Sequence, residues 1–584
     1  MPHRQKPHLE GPHLQDVLRS LTSLPERVQA WRGRRRSSPG WTLIVGAIVA
    51  VMLVPIATIL ALALAPAENI WPHLARTVLP QSLFDTVLLM AGVGSLTLVT
   101  GTACAWLVTM YRFPGRALVD RLLVIPLAMP TYIVAYCYTE LLDYGGPVQT
   151  AMRSAFGWKT AQDYLIPVPQ IRSLPGAIFV LASVLYPYVY LSARASFVQQ
   201  SVCALEVART LGRTSLGAFR AVALPLARPA LAAGLALALM ECLNDLGAVQ
   251  YLGVQTLTAS IYATWLQRAN LGGAAQLAAV MLLFVAALFA IEHWARGGAQ
   301  IHATTNRHRS IPFQDIEGWR GYLAGGLAVL PFVGGFLVPF LVLVRHAWTH
   351  AGGALEGGFL RAAANSLVLS TASAVLAIAL ALTLGYARRV AANGFTRPAV
   401  RLAGLGYAIP GTVLAIGLLI PLAHLDNWLD AASRAGLGKP LGLLLSGTLF
   451  AVTLAYVIRF LAVALGSIEA GLARISPNLD AAARALGETA LSTLWRVHLP
   501  MLMPALGAAG LLVFVDSMKE LPATLLLRPF NFETLATHVY GFASLEQFED
   551  AALGSLAIVF AGLIPVLLLH KAVAGGRAGG AQGK

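Results

Sequence analysis

Along the chain, apolar runs long enough to cross a bilayer alternate with short polar or basic segments. A span needs about 20 mostly apolar residues. Such runs lie near 42–65, 83–110, 118–142, 174–193, 226–245 and 275–295. A second set lies near 321–345, 365–387, 402–423, 441–465, 502–518 and 551–570. The pattern predicts an all-α polytopic membrane protein with about 12 transmembrane helices, six in each half. An even number per half starts both halves on the same side of the membrane.

Composition agrees with the pattern. The 584 residues are 57% hydrophobic and only 12% charged, about half the charged share of a soluble domain. Mean hydropathy is +0.68. A net charge of +15 would suggest nucleic acid in a soluble chain. Here the basic residues lie beside apolar runs rather than in one patch, so the expected partner is the lipid bilayer and no nucleic acid. With the N-terminus inside, about 30 Lys and Arg fall in cytoplasmic segments and about 11 outside. That is the bias of a multi-pass bacterial inner-membrane protein, here with both termini cytoplasmic.

The polar start, Met1 to Ser38, carries His3, His8 and His13 and the basic run "RGRRR" from Arg32 to Arg36. It is too long and polar for an ordinary cleaved signal peptide and is expected to be a disordered tail ending in an orienting basic cluster. Cys104, Cys137, Cys203 and Cys242 form neither a CxxC nor a metal-ligand spacing and are expected to be small packing residues.

The halves repeat. "MPTYIVA" (Met129 to Ala135) corresponds to "IPGTVLA" (Ile409 to Ala415), and "DTVLL" (Asp85 to Leu89) to "NSLVL" (Asn365 to Leu369), each 280 positions on. Ser260-Ile261-Tyr262 resembles His538-Val539-Tyr540. Six spans per half make the repeat parallel, about an axis along the membrane normal, and place a pathway at the interface of the halves. The expected organisation is a cytoplasmic tail (1–41), a first half (42–295, core 80–295), a cytoplasmic linker (296–320), a second half (321–570, core 360–570) and a tail (571–584).

A loop is repeated as well. "EVARTLGRTSLGAFRAVALP" (Glu206 to Pro225) and "AAARALGETALSTLWRVHLP" (Ala481 to Pro500) share a glycine and a terminal Leu-Pro 275 positions apart. In each, a short helical run meets Gly212 or Gly487, a residue suited to a left-handed helix end. A second helical run follows, bearing Phe219 or Trp495 and closing at Leu-Pro. The prediction is a helix–turn–helix bracket on the cytoplasmic side, suited to docking in a groove of a soluble partner.

Both loops resemble the cytoplasmic "EAA" loop of ABC importer permeases. The first matches at Glu206, Ala208, Gly212, Leu224 and Pro225; the second matches at Ala482, Ala483, Gly487, Leu499 and Pro500. The second has Ala481 where the family usually has Glu, with Asp480 one residue earlier. The resemblance implies a fused two-half permease of the binding-protein-dependent type, which couples to a cytoplasmic ATPase homodimer and a periplasmic substrate-binding protein. The chain has no nucleotide-binding motif, so ATP and Mg would be bound by the partner ATPase and no cofactor by this chain.

Ionisable side chains within spans are costly and usually face a cavity or a partner. Glu241 and Asp245 in "LMECLNDLGAVQYLG" match Asp516 and Glu520 in "VDSMKELPATLLLRP" at the 275 offset. Spaced i, i+4, each pair is expected on one helix face, so the halves present four carboxylates to an acidic, cation-tolerant pathway, with Lys519 able to neutralise one.

"KELPATLLLRP", "LNDLGAVQYLG" and "TLTASIYATWL" are similar to segments of fused ferric-iron importer permeases, which implies iron(III) as cargo. Related fused permeases carry thiamine, polyamines or phosphonates. An ion-coupled secondary transporter would also explain intramembrane carboxylates, but the sequence shows no paired Gly/Pro-interrupted short spans of the kind that build midplane ion sites. A membrane enzyme lacks support: no nucleophile–base signature and no metal-ligand cluster stand out, so the expectation is a permease with no catalytic and no metal site of its own.

Overall fold

A computed structural model describes residues 39–160, 170–199, 210, 212–296, 314–354 and 358–574. The N-terminal tail, most of the linker and the end of the C-terminal tail lie outside these residues, as do Cys203, Glu206 and Ala208. The first half contains α1 (Pro39–Leu64), α2 (Trp71–Met110), α3 (Arg116–Leu122), α4 (Thr131–Leu142), α5 (Pro147–Phe156), α6 (Leu174–Gln199), α7 (Ser215–Ala218), α8 (Leu224–Asn244), α9 (Gly247–Tyr251), α10 (Leu257–Tyr262) and α11 (Leu271–Arg296). The second contains α12 (Trp319–Phe332), α13 (Val338–Ala354), α14 (Phe359–Val390), α15 (Thr396–Ala403), α16 (Gly411–Leu437), α17 (Leu449–Arg474), α18 (Pro477–Ala485), α19 (Ala490–Thr493), α20 (Leu499–Met518), α21 (Pro522–Leu527), α22 (Leu535–Ser544) and α23 (Phe548–Ala574).

Among the described residues, 11 helices are long and apolar enough to cross a membrane, and a bent pair brings the number to 12. The chain is therefore an all-α polytopic membrane protein. The bent pair departs from the sequence expectation of one span over 118–142. α3 and a 3-10 turn (Ile125–Ala128) meet α4 at 95°, with Pro130 at the break. Proline has no N–H to continue the ladder and disfavours helix in the residue before it. In the second half α15 and a 3-10 turn (Gly404–Ala408) also precede α16, with Pro410 at its start, but α16 is long enough to span by itself. Among the described residues one bent pair is found, in the first half, so paired interrupted short spans do not stand out.

The packing follows the repeat. α2, α6 and α8 form one bundle, and α14, α17 and α20 form its counterpart. The opening helix of each half crosses to the other. α1 lies against its own α11 but also against α16, whereas α13 lies against its own α23 and against α4. A turn inside the first half meets the linker that follows it: Tyr111–Arg112 (β1) pairs in parallel with Gln314–Asp315 (β2), which places the "YRFPGR" turn and the linker at one end of the molecule. Cys104, Cys137 and Cys242 are buried and free, as expected of packing residues.

Candidate functional site: two brackets and an acidic cavity

The brackets join the fourth and fifth spans of each half. Six crossings separate them, so both lie at the same face. Gly212 and Gly487 have φ of +80° and +81°, the left-handed conformation that favours glycine. In the second bracket α18 runs Pro477–Ala485 and ends at this glycine, a little earlier than the run read from sequence. The second arm does not close at Leu-Pro. It passes through a π-helical turn (Phe219–Ala223; Leu494–His498) straight into the next span. Leu224 and Leu499 donate to the carbonyls five residues back, which lets the helix pass the N–H-less Pro225 and Pro500.

The two aromatic residues differ. Trp495 is 62% exposed, as a docking residue must be. Phe219 turns inward, its ring 4.8 Å from Trp106 and 6.3 Å from Phe197, so it packs the first bracket onto its own half. A matched pair missed in the sequence is Leu216 and Leu491, 56% and 57% exposed. The second bracket is pinned by charge. Asp480 pairs with Arg389 at 2.7 Å, and Arg389 also donates to the Leu472 and Ile475 carbonyls. Asp480 therefore anchors the loop to its own half, leaving Ala482 exposed and Ala483 buried. Beside Gly487, Glu488 accepts from the Ser492 hydroxyl and from Arg496 at 2.9 Å. The Ser492 hydrogen bond first, then the Arg496 charge, hold its carboxyl below the usual range against an opposing effect of burial.

Between the halves lies a cavity of about 90 Å³ whose walls include Glu241, Asp245, Asp516 and Glu520. The structure brings together all four carboxylates picked out by the repeat. They do not share helix faces as the i, i+4 spacing suggested, because α8 ends at Asn244 and α20 at Met518. Asp245 and Glu520 lie just past these ends and accept the first N–H groups of the next short helices. Asp245 accepts from Ala248 at 2.8 Å, and Glu520 from Ala523 and Thr524 at 3.1 Å each.

The counter-charges are unequal. Asp516 pairs with Lys519 at 2.9 Å, and Glu520 with Arg459 at 2.8 Å in a pair almost fully buried. Gly411 admits that pair: a Cβ there would sit 2.7 Å from the Glu520 carboxylate and 2.9 Å from the guanidinium. In the first half Thr131, the counterpart of Gly411, donates to Asp245, while Tyr407 of the second half donates to Glu241 at 2.5 Å. Among the described residues no cation pairs with either carboxylate. Gly411 N–H donates to Asn244 at 2.8 Å, so the second half closes directly onto the first. Arg459 was missed in the sequence, although a lone arginine in the apolar "AYVIRFLAV" is the signal that could have found it.

A helical protein of 11 to 12 candidate spans with an acidic cavity lined by residues of both halves fits the class of membrane transport proteins. The family model for the binding-protein-dependent transport system inner membrane component matches residues 97–295. The sulfate transport system permease protein CysT of Salmonella typhimurium is 31% identical over 223 residues, 37% of this chain and 76% of the relative. The Fe(3+)-transport system permease protein FbpB 2 of Haemophilus influenzae is 27% identical over 504 residues, 85% of this chain and 91% of the relative. The chain belongs to the family of inner membrane components of binding-protein-dependent transport systems.

Proposed function

We propose that this chain is both membrane halves of an ATP-driven importer for iron(III), fused in one polypeptide. A periplasmic binding protein delivers the cargo, and an ATPase homodimer binds the brackets around Gly212 and Gly487, with N- and C-termini on the same cytoplasmic side. The observation that carries the cargo assignment is the cavity between the halves. Four carboxylates against Lys519 and Arg459 leave two excess negative charges, which favours a cation and opposes sulfate or a phosphonate. The Fe(3+)-transport relative aligns along most of both chains, which supports the same choice over the sulfate relative, whose match covers 37% of this chain.

The test is transport by reconstituted protein. Iron(III) uptake into proteoliposomes should require the ATPase, ATP and the binding protein together. Uptake by the permease alone, driven by a proton gradient, would make it a secondary transporter. ATP-driven uptake of thiamine, a polyamine or a phosphonate without iron(III) would keep the machine and change the cargo.

A further inference from the structure

Away from the brackets the halves are tied together twice, once by a buried pair and once by an exposed one. α6 runs toward the first bracket and α20 away from the second, so Arg172, just before α6, and Glu546, between α22 and α23, stand at the face opposite the brackets. The Arg172 guanidinium donates to Asp143, just past α4, at 3.0 Å and to Glu546 of the second half at 2.5 Å. It also lies 5.2 Å from the centre of the Tyr251 ring, which meets Phe548 of the second half edge-on. One turn before Asp143, Glu140 meets His346 of α13 at 2.6 Å. Burial separates the two ties. Glu140 and His346 are 16% and 9% exposed, whereas Arg172, Asp143 and Glu546 are 38%, 43% and 60% exposed. A buried pair is costly to break, while an exposed ion pair is weak and screened by salt. The first suits a permanent joint and the second a joint that opens.

We propose that Arg172 and Glu546 form a clasp that holds the outer end of the pathway shut and opens in each transport cycle. The proposal rests on the importer function above and adds the contact that must break for cargo to enter. Its link to the cavity is α9. Asp245 accepts from Ala248 and Val249 at one end of this short helix, and Tyr251 at the other end lies beside the Arg172 guanidinium. Gln250, next to Tyr251, accepts from Tyr540 of the second half at 2.8 Å. Movement at the clasp is thus carried by one rigid turn to a cavity carboxylate. The repeat supplies no second clasp. The positions equivalent to Arg172 and Glu546, two residues before α17 and α11, hold Gly447 and Ala269. Ala269 and Glu546 share a left-handed backbone, with φ of +52° and +60°, so the two turns are alike and the side chain makes the difference. One seam between the halves is fastened by this charge pair, and the other lacks it.

The experiment locks the clasp in the complete complex, reconstituted in proteoliposomes with ATPase and binding protein. In a C203S background, where the other three cysteines are buried, R172C with E546C is bridged by a short bifunctional methanethiosulfonate that a thiol reductant cleaves. ATP-driven iron(III) uptake should be lost on bridging and return on reduction, while R172C and E546C alone, given the same reagent, keep their uptake. D143C with E546C leaves Arg172 in place, spans the same seam and should give the same reversible loss. ATP hydrolysis stimulated by the binding protein is recorded in the same samples and should be lost and regained with uptake. Uptake or stimulated hydrolysis that continues with either pair bridged overturns the clasp. Hydrolysis that responds to the binding protein and to bridging, without iron(III) uptake by the wild type, keeps the clasp and removes the cargo assignment instead.

Discussion

The two walls of the cavity come from repeated sequence, yet they solve the same electrostatic problem differently. Glu241 and Asp245 correspond to Asp516 and Glu520, but Asn244 stands where the second half has Lys519, Val184 where it has Arg459, and Thr131 where it has Gly411. The first wall steadies its carboxylates with hydroxyl and backbone donors; the second uses cations. A buried charge needs compensation, and a hydrogen bond provides it without cancelling the charge. The lesson is that one wall remains available to a passing cation while the other is internally satisfied. The brackets show the same division: the first packs inward through Phe219, and the second is pinned by Asp480 and leaves Trp495 free.

The sharpest way to break the comparison is to give the second wall the first wall's residue. R459V leaves Glu520 buried without its partner and should cost about 3–5 kcal/mol, read as a lowered unfolding temperature in detergent. Next, F219A should destabilise by about 2–3 kcal/mol, below the usual range for a fully buried Phe because the ring is half-buried. W495A should change stability by less than about 0.5 kcal/mol, yet weaken ATPase co-purification.

Gly487→Val or Gly212→Val falls between these two effects on stability. A β-branched residue at φ near +80° costs roughly 1–2 kcal/mol locally and should release the ATPase from the solubilised complex. Normal co-purification of the ATPase would remove the docking role. E241Q with D516N should slow uptake about tenfold, near 1.4 kcal/mol in the barrier, with the complex still assembled. Of the two single variants, E241Q should be the more harmful, because Asp516 holds the direct ion pair with Lys519.

Much of this arrangement was legible before any coordinates. Spans announce themselves by length and apolarity, and the 275-residue offset found all four cavity carboxylates because chemistry placed at equivalent ends of repeated helices stays in register. The glycine turns were legible for the same reason: a left-handed residue has few alternatives to glycine. The break at Pro130 was hidden inside an apolar run, where hydropathy cannot distinguish one span from two pieces meeting at 95°. The inward turn of Phe219 depends on Trp106 and Phe197, about 113 and 22 residues away in sequence, and no local pattern carries that.

The most direct test of the central claim, that cargo passes along the negatively charged first-half wall, is ATP-driven iron(III) uptake by the complete complex carrying E241Q and D245N, with ATP hydrolysis recorded at the same time. The account predicts that uptake falls at least about tenfold while the ATPase remains bound and active. Uptake at the wild-type rate, with both carboxylates neutralised and the complex intact, would contradict it.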